Sequence, residues 1–211
     1  NYTISSTKAS IYNITAITLS LGTAELYDDY CDNNFLSLAA AVNNATMKNI
    51  TVVAATGNNG NSNFIASPAC IKNVTAVAAT DKNNNIASYS DRNKLVKLLA
   101  PGDNINSTNT SKGYEIRSGT SMAAPHVAGA VALLQQYQKL DNNMKETPEE
   151  IVNALNKSGL KISDNGNVFS LINIYEAVKK SDKKLPDIFS ENRTLTALNN
   201  SDIDFSINAT D

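Results

Sequence analysis

The sequence is poor in the residues from which most metal and redox sites are built. Its 211 residues contain one histidine, His126, and two cysteines, Cys31 and Cys70, neither of which lies in a CxxC pair. That spacing argues against a zinc centre or a dithiol redox motif. Long apolar runs are missing as well: no stretch approaches the roughly 20 apolar residues that cross a bilayer as a helix. The first residues, NYTISSTKASIYNIT, lack the basic start and apolar run of a signal peptide, and a fragment would have lost any leader of its parent. Charge of one sign is not in excess either. With 18 basic and 20 acidic residues the net charge is −2, so no bulk attraction to nucleic acid or to an anionic membrane is expected. Function must therefore come from a site, on a chain whose length suits one domain of ordinary size.

Asparagine, by contrast, is abundant. Eleven positions fit the NxS/T acceptor pattern: Asn1, Asn13, Asn44, Asn49, Asn73, Asn106, Asn109, Asn156, Asn192, Asn199 and Asn208. Composition alone would give about five. The excess mildly favours an exported, glycosylated protein, with a general bias toward asparagine as the competing explanation.

Thr15 to Leu19 is rich in β-branched and apolar residues and ends at SLG, which predicts a buried strand opening into a loop. The segment from Phe35 to Lys48 has an apolar face at helical spacing, and Ile50 to Ala55 is a second buried strand. The cluster TGNNGNSN, Thr56 to Asn63, places a loop at that strand's C-terminal end. Val74 to Ala79 is a third strand. Three apolar strands with helical crossovers imply a mostly parallel sheet covered on both faces, and such sheets carry their sites at strand C-termini.

After extended pieces around Val96 to Leu99 and Tyr114 to Arg117 comes GTSMAAPHVAGAVALLQQYQ. This small, apolar run reads as a buried, central helix with Pro125 tolerated only near its start. In TPEEIVNALNKSG, Thr147 is the expected N-cap, Pro148 the first helical residue and Gly159 the residue past the end. A last helix is expected at about Ile172 to Lys180. Ser181 onward reads as linker, tail or the start of a truncated neighbour. The expected division is thus 1–180 for the domain and 181–211 for the remainder.

A hydroxyl nucleophile needs a tight turn, a helix N-terminus and donors for a developing oxyanion. Ser121 in SGTSMAAP meets the first two requirements. GTSMAAPHVAGAVALL resembles the nucleophile motif of the subtilisin-like serine proteases, and AITLSLG, VVAATGNNGNS and the stretch from SPACIKNVTAVAAT to LAPG follow the family's order. The resemblance covers about residues 14–180. It implies an α/β fold, a three-layer sandwich with a mostly parallel sheet that here lacks its N-terminal strands. The implied reaction is hydrolysis of peptide bonds in a polypeptide substrate through an acyl-enzyme, with a triad in the order Asp, His, Ser.

Carried over by position, the resemblance implies Ser121 as nucleophile and Asn58 as the side chain that binds the oxyanion together with the Ser121 backbone N–H. It implies substrate-binding roles for Ser20, Leu21 and Gly22, for Ala55, Thr56 and Gly57, and for Gly119 and Thr120 beside the nucleophile. The first two segments bind substrate backbone as an added strand, and Thr56 stands where a small residue is usual, which leaves pocket size open. From spacing alone, Cys31 and Cys70 are as readily two free thiols as a bridge; the resemblance favours the bridge, and with it an extracellular or cell-surface setting. No cofactor is evident, and calcium ligands, which mix backbone carbonyls with scattered acids, are not readable. Asp81 and Asp103 read as solvated turn residues.

The sequence departs from the family in one respect. Motifs of the DSG or DTG type and of the HGTH type occur nowhere in it. His126 follows Ser121 by five positions on one helix, rotated about 140° and displaced roughly 7.5 Å, so it cannot face the hydroxyl. In the family it is a packed structural residue. The chain alone is therefore expected to be inactive, with Asp and His supplied by the missing N-terminal part of the same domain, in the parent or as a complementing chain. A noncatalytic binding module on the same scaffold is the alternative. Exposed sheet edges and apolar faces would make the lone chain prone to self-association.

Overall fold

The computed structural model describes residues 13–142 and 146–181, with the backbone of 195–196 and 204–205. The expected role of residues 182–211 as linker or tail therefore lies largely outside the described residues. Strands β1 (Ala16–Leu19), β2 (Leu26–Tyr27), β3 (Thr51–Ala55), β4 (Ile65–Ala66), β5 (Val74–Thr80) and β6 (Leu98–Pro101) precede the exposed hairpin of β7 (Ile105–Thr108) and β8 (Tyr114–Arg117). Hairpin β9 (Leu160–Asp164) and β10 (Asn167–Leu171) comes near the end. The helices are α1 (Leu36–Met47), α2 (Thr120–Asn142), α3 (Pro148–Ser158) and α4 (Ile174–Ser181).

The main sheet has the order β1-β3-β5-β6-β10-β9. Every pairing in it is parallel except that of β9 with β10. Side chains alternate across the sheet as the strand period of two requires. Val52 and Ala54 of β3 join Val74, Ala76 and Ala78 of β5 in a core with Ala39 and Val42 of α1. Val53 and Ala55 join Val77 and Ala79 in a second core with Ala123, Val127, Val131 and Leu134 of α2 and Ile151 and Leu155 of α3. The result is the expected three-layer α/β sandwich.

Three details differ from the sequence reading. Only the β1–β3 and β6–β10 connections carry helices; β3 to β5 and β5 to β6 cross over without one. Their segments, 56–73 and 81–97, are Gly-, Asn- and Pro-punctuated and have no apolar stripe long enough to bury. Helix α2 packs on β1, β3, β5 and β6 but is not enclosed, since Leu133 and Leu140 are 52% and 57% exposed. His126, expected to be packed, lies on this open face. The hairpin β9–β10 was not anticipated, although Asn165 and Gly166, both with positive φ (46° and 76°), form the Asn-Gly turn that two-residue hairpins favour.

Helix α3 forms as its ends dictate. Thr147 Oγ1 accepts the Glu150 N–H at 3.3 Å and the Glu150 carboxylate accepts the Thr147 N–H at 2.8 Å, a complete capping box ahead of Pro148. Gly159 closes the helix with extended rather than left-handed backbone, φ −69°. Glycine is needed there for proximity, because a Cβ would lie 2.5 Å from the Leu171 carbonyl oxygen.

Cys31 and Cys70 form a disulfide with Cα atoms 5.4 Å apart, and both residues are fully buried. The Cys31 N–H also donates to the Cys70 carbonyl at 3.1 Å. The bridge thus fastens the approach to α1 onto the segment that follows β4, the strand whose Ala66 lines the pocket described below. For a crosslink spanning 39 positions, chain entropy alone amounts to about 4 kcal/mol. Reduction is expected to lower unfolding free energy by about 2–4 kcal/mol, read as a fall in urea midpoint with reductant; an unchanged midpoint would show that the bridge contributes nothing.

Candidate active site

The C-terminal end of β3 and the N-terminus of α2 meet at one point. Thr120 and Ser121 are the first two residues of α2, so their backbone N–H groups have no partners within the helix. Asn58 takes one of them: its Oδ1 accepts the Thr120 N–H at 2.8 Å and the Thr120 hydroxyl at 3.0 Å. Gly57 N–H donates in turn to Thr120 Oγ1 at 3.2 Å. With Oδ1 so engaged, the Asn58 amide nitrogen and the Ser121 N–H are left as two donors on the same side.

Gly119 keeps the space between them open. A Cβ on Gly119 would lie 3.4 Å from Asn58 Nδ2 and 3.7 Å from Ser121 N. Its φ of +153° is unfavourable for a residue with a side chain. The backbone here is held from below: the Gly119 N–H donates to the Gly102 carbonyl at 2.8 Å, which also accepts the Tyr89 hydroxyl at 2.8 Å. Burial, and secondarily the charge of Asp103, raises the Tyr89 pKa above its usual value, so the phenol stays a donor.

A second consequence of the α2 sequence concerns the Ser121 carbonyl. Pro125, four residues on, has no N–H to offer it. Ser20 Oγ donates to that carbonyl instead, at 2.8 Å, tying the end of β1 to the helix start. Among the described residues, the Ser121 hydroxyl has no hydrogen-bond partner. His126 cannot supply one, since its Nδ1 lies 2.8 Å from the Met122 carbonyl of its own helix.

An open pocket of about 170 Å³ adjoins these groups, lined by Leu21, Gly22, Thr23, Ala55, Gly57, Asn58, Asn59, Ala66, Thr120 and Ser121. Of the residues singled out from the sequence, Leu21, Gly22, Ala55, Gly57, Asn58, Thr120 and Ser121 line it. Gly119 shapes the donor pair, and Ser20 acts on the Ser121 carbonyl rather than on the pocket. Thr56 is a correction: it is fully buried and absent from the wall, because strand alternation turns it away from the side that Ala55 and Gly57 present. Ala66, Thr23 and Asn59 were not anticipated. Ala66 reaches the wall through the short pairing of β2 with β4, a tertiary event with no local signal, whereas Thr23 and Asn59 adjoin recognised motifs.

No group of three or more His, Cys, Asp or Glu able to hold a metal ion occurs among the described residues. Asp81 behaves as a turn residue: its Oδ1 accepts the Asn83 and Asn85 N–H groups at 2.8 Å each, and the bond from Asn85 leads in lowering its pKa. Asp103 accepts from the Asn104 amide at 2.6 Å.

A hydroxyl at a helix N-terminus beside two N–H donors is chemically suited to holding a developing oxyanion. Comparison with known proteins gives the family. A sequence profile of the subtilase family matches residues 3–183, and the chain belongs to that family. It is 43% identical over 164 residues to the thermophilic serine proteinase of Bacillus sp. (strain AK1), covering 77% of this chain and 37% of that protein. It is 45% identical over 117 residues to subtilisin BL of Lederbergia lenta, covering 53% of this chain and 43% of that one. The major intracellular serine protease of Bacillus subtilis (strain 168) is 36% identical over 118 residues, covering 54% of this chain and 37% of the relative. Among solved structures, the patellamide maturation protease PatA superposes with a TM-score of 0.69 at 28% identity, covering 82% of this chain and 65% of that one. The prenylagaramide maturation protease PagA gives 0.68 at 27% identity, with coverages of 82% and 64%. The chain thus spans about two fifths of the length of these curated relatives.

Gly119→Ala would impose a strained backbone and place a methyl group between the two donors. The variant is expected to lose about 1–3 kcal/mol of stability, measured by urea denaturation; a stability equal to that of the parent chain would show that the +153° conformation relaxes without cost.

Proposed function

We propose that this chain is the C-terminal part of the catalytic domain of a subtilisin-like serine endopeptidase, with residues 1–180 belonging to that domain. Ser121 Oγ is the nucleophile that attacks a peptide carbonyl and forms the acyl-enzyme. The oxyanion is held by Asn58 Nδ2 and the Ser121 N–H. Substrate backbone lies along Ser20–Gly22 and against Ala55 and Gly57, with Thr56 turned into the core, and the side chain before the scissile bond enters the pocket at Ala66. The observation that carries this reading is the fixed pair of donors on either side of the Gly119 gap, with the Ser121 hydroxyl beside them.

Activation of the hydroxyl requires a base that this sequence does not contain. The Asp and His come from the missing N-terminal part of the domain, either in the parent or as a separate chain, and the lone chain is inactive. Two surfaces support that arrangement: the outer edge of β1, which among the described residues pairs only with β3, and the apolar open face of α2. A fully buried disulfide and the many NxS/T positions support an extracellular setting. Without a base, oxyanion donors alone leave a rate of roughly 10³- to 10⁴-fold over water in serine proteases.

A serine-directed fluorophosphonate should fail to label the isolated chain. Mixing with a segment that carries the family's Asp and His motifs should restore labelling and peptide cleavage, both abolished by Ser121→Ala. Rapid stoichiometric labelling of the chain alone would overturn its predicted inactivity. Tight binding of the segment without any gain in cleavage would favour the alternative, a noncatalytic binding module on this scaffold.

A further inference from the structure

We propose that Asp91 is a positioning residue for the oxyanion-binding asparagine: its buried carboxylate clamps Asn59 and Asn61, its backbone N–H holds Gly57, and together they set the direction of the Asn58 amide. The inference deepens the hydrolytic reading above and rests on it.

Asp91 is fully buried, and none of the ion pairs among the described residues includes it. A carboxylate in that position is costly unless directed donors replace its lost water. The loop after β3 supplies them. Asp91 Oδ1 accepts the Asn59 N–H at 2.9 Å and the Asn61 N–H at 2.8 Å, while Oδ2 accepts the Asn59 side-chain amide at 2.8 Å. The Asp91 N–H donates to the Gly57 carbonyl at 3.0 Å. The flanking residues extend the clamp: Gly60 N–H donates to the Tyr89 carbonyl at 2.7 Å, and Arg92 N–H to the Asn61 carbonyl at 2.8 Å.

Asn58 sits inside this frame, held through Gly57 on one side and Asn59 on the other. Gly57 has φ +114°, and a Cβ there would overlap Asp91 Oδ2, so the carboxylate lies directly against the loop backbone. The clamping segment is itself anchored. Ser90 Oγ accepts the Ala79 N–H at 2.9 Å from β5, the Tyr89 hydroxyl is bound to Gly102, and the Arg92 guanidinium pairs with Asp164 at 2.6 Å. Asp91 touches none of the reacting atoms. Its contribution is to fix, before substrate arrives, where the Asn58 amide points, and preorganised donors of this kind do most for a developing oxyanion.

The clamp is tested first on the chain alone, by amide hydrogen exchange. The Asn59 and Asn61 amides of the unmodified chain are expected to be protected; exchange at random-coil rates would overturn the clamp without any variant. Asp91→Ala should speed exchange at both amides by at least about 30-fold while the β5 amides stay protected. Asp91→Asn, which keeps the Oδ1 acceptor, should hold Asn61 within about threefold of the parent chain. Equal exchange at these amides in Asp91→Ala and the parent would overturn the proposal.

The second arm uses the chain complemented with the Asp- and His-bearing segment. Asp91→Ala is expected to lower kcat roughly 10- to 100-fold with KM within about threefold, since a displaced Asn58 fails chiefly in the transition state. Its effect should vanish in the Asn58→Ala background, where the double variant is no worse than Asn58→Ala by more than about threefold. Additive losses would make Asp91 merely structural and overturn positioning. Failure of the unmodified complemented enzyme to cleave peptides would count against the hydrolytic reading instead, and the exchange arm still upholds or overturns the clamp.

Discussion

The hydrogen bond from the Thr120 N–H to Asn58 Oδ1 joins the two halves of the site. It is made by a backbone group that a helix start leaves without a partner and a side chain on the loop leaving a central strand. By engaging the oxygen it decides which end of the Asn58 amide is free. The β3 and α2 cores place these two chain ends together: Val53 and Ala55 on one side and Ala123 and Val127 on the other are buried against each other. Small residues allow the helix axis close enough to the sheet for a 2.8 Å contact across 62 positions of sequence.

The same economy of volume explains the glycines at the site. Gly57 and Gly119 both hold positive φ values, and at both the absent side chain is the functional feature: one leaves room for the Asp91 carboxylate, the other for the gap between donors. Ser20 repairs a defect that Pro125 introduces. A proline six residues into a helix forfeits a bond to the Ser121 carbonyl, and the hydroxyl at the end of β1 supplies one from outside. Three separate segments, from β1, β3 and the 89–92 turn, thus converge on two residues of α2 or on the loop that faces them.

The sequence made the central strands legible because parallel strands buried on both faces read as unbroken apolar runs, as VVAA and VTAVAA do. Helix α3 was legible from its ends alone. The helix-free crossovers were not, because parallel strands led to an expectation of helical connections although segments 56–73 and 81–97 carry no apolar stripe. The Asn165-Gly166 hairpin carried a strong local signal beside alternating residues, yet it lay between two expected helices and outside every recognised motif. At the site, residues that belong to chain-order motifs were found. Ala66, brought in by β2–β4 pairing, and Asp91, which acts through its acceptor geometry, depend on contacts between segments distant in sequence and had no pattern to expose them.

Among the described residues, one edge of the sheet and one face of a helix are left uncovered. β5 is buried along its whole length, whereas β1, next to β3 on the far edge, is only partly covered. The α2 face bearing His126, Leu133 and Leu140 is open, although the helix carries apolar residues around most of its circumference. A helix of that composition is stable in water only when most of its surface is withdrawn from it. Helix α2 packs on β1 as well as on β3, β5 and β6, and β1 is also the strand whose last residue leads to Ser20 and so to Ser121. On the proposed reading, an element added at the outer edge of β1 would lie beside the strand whose end Ser20 ties to Ser121. Under the proposed reading, one added element would both cover this edge and bring a base to the hydroxyl.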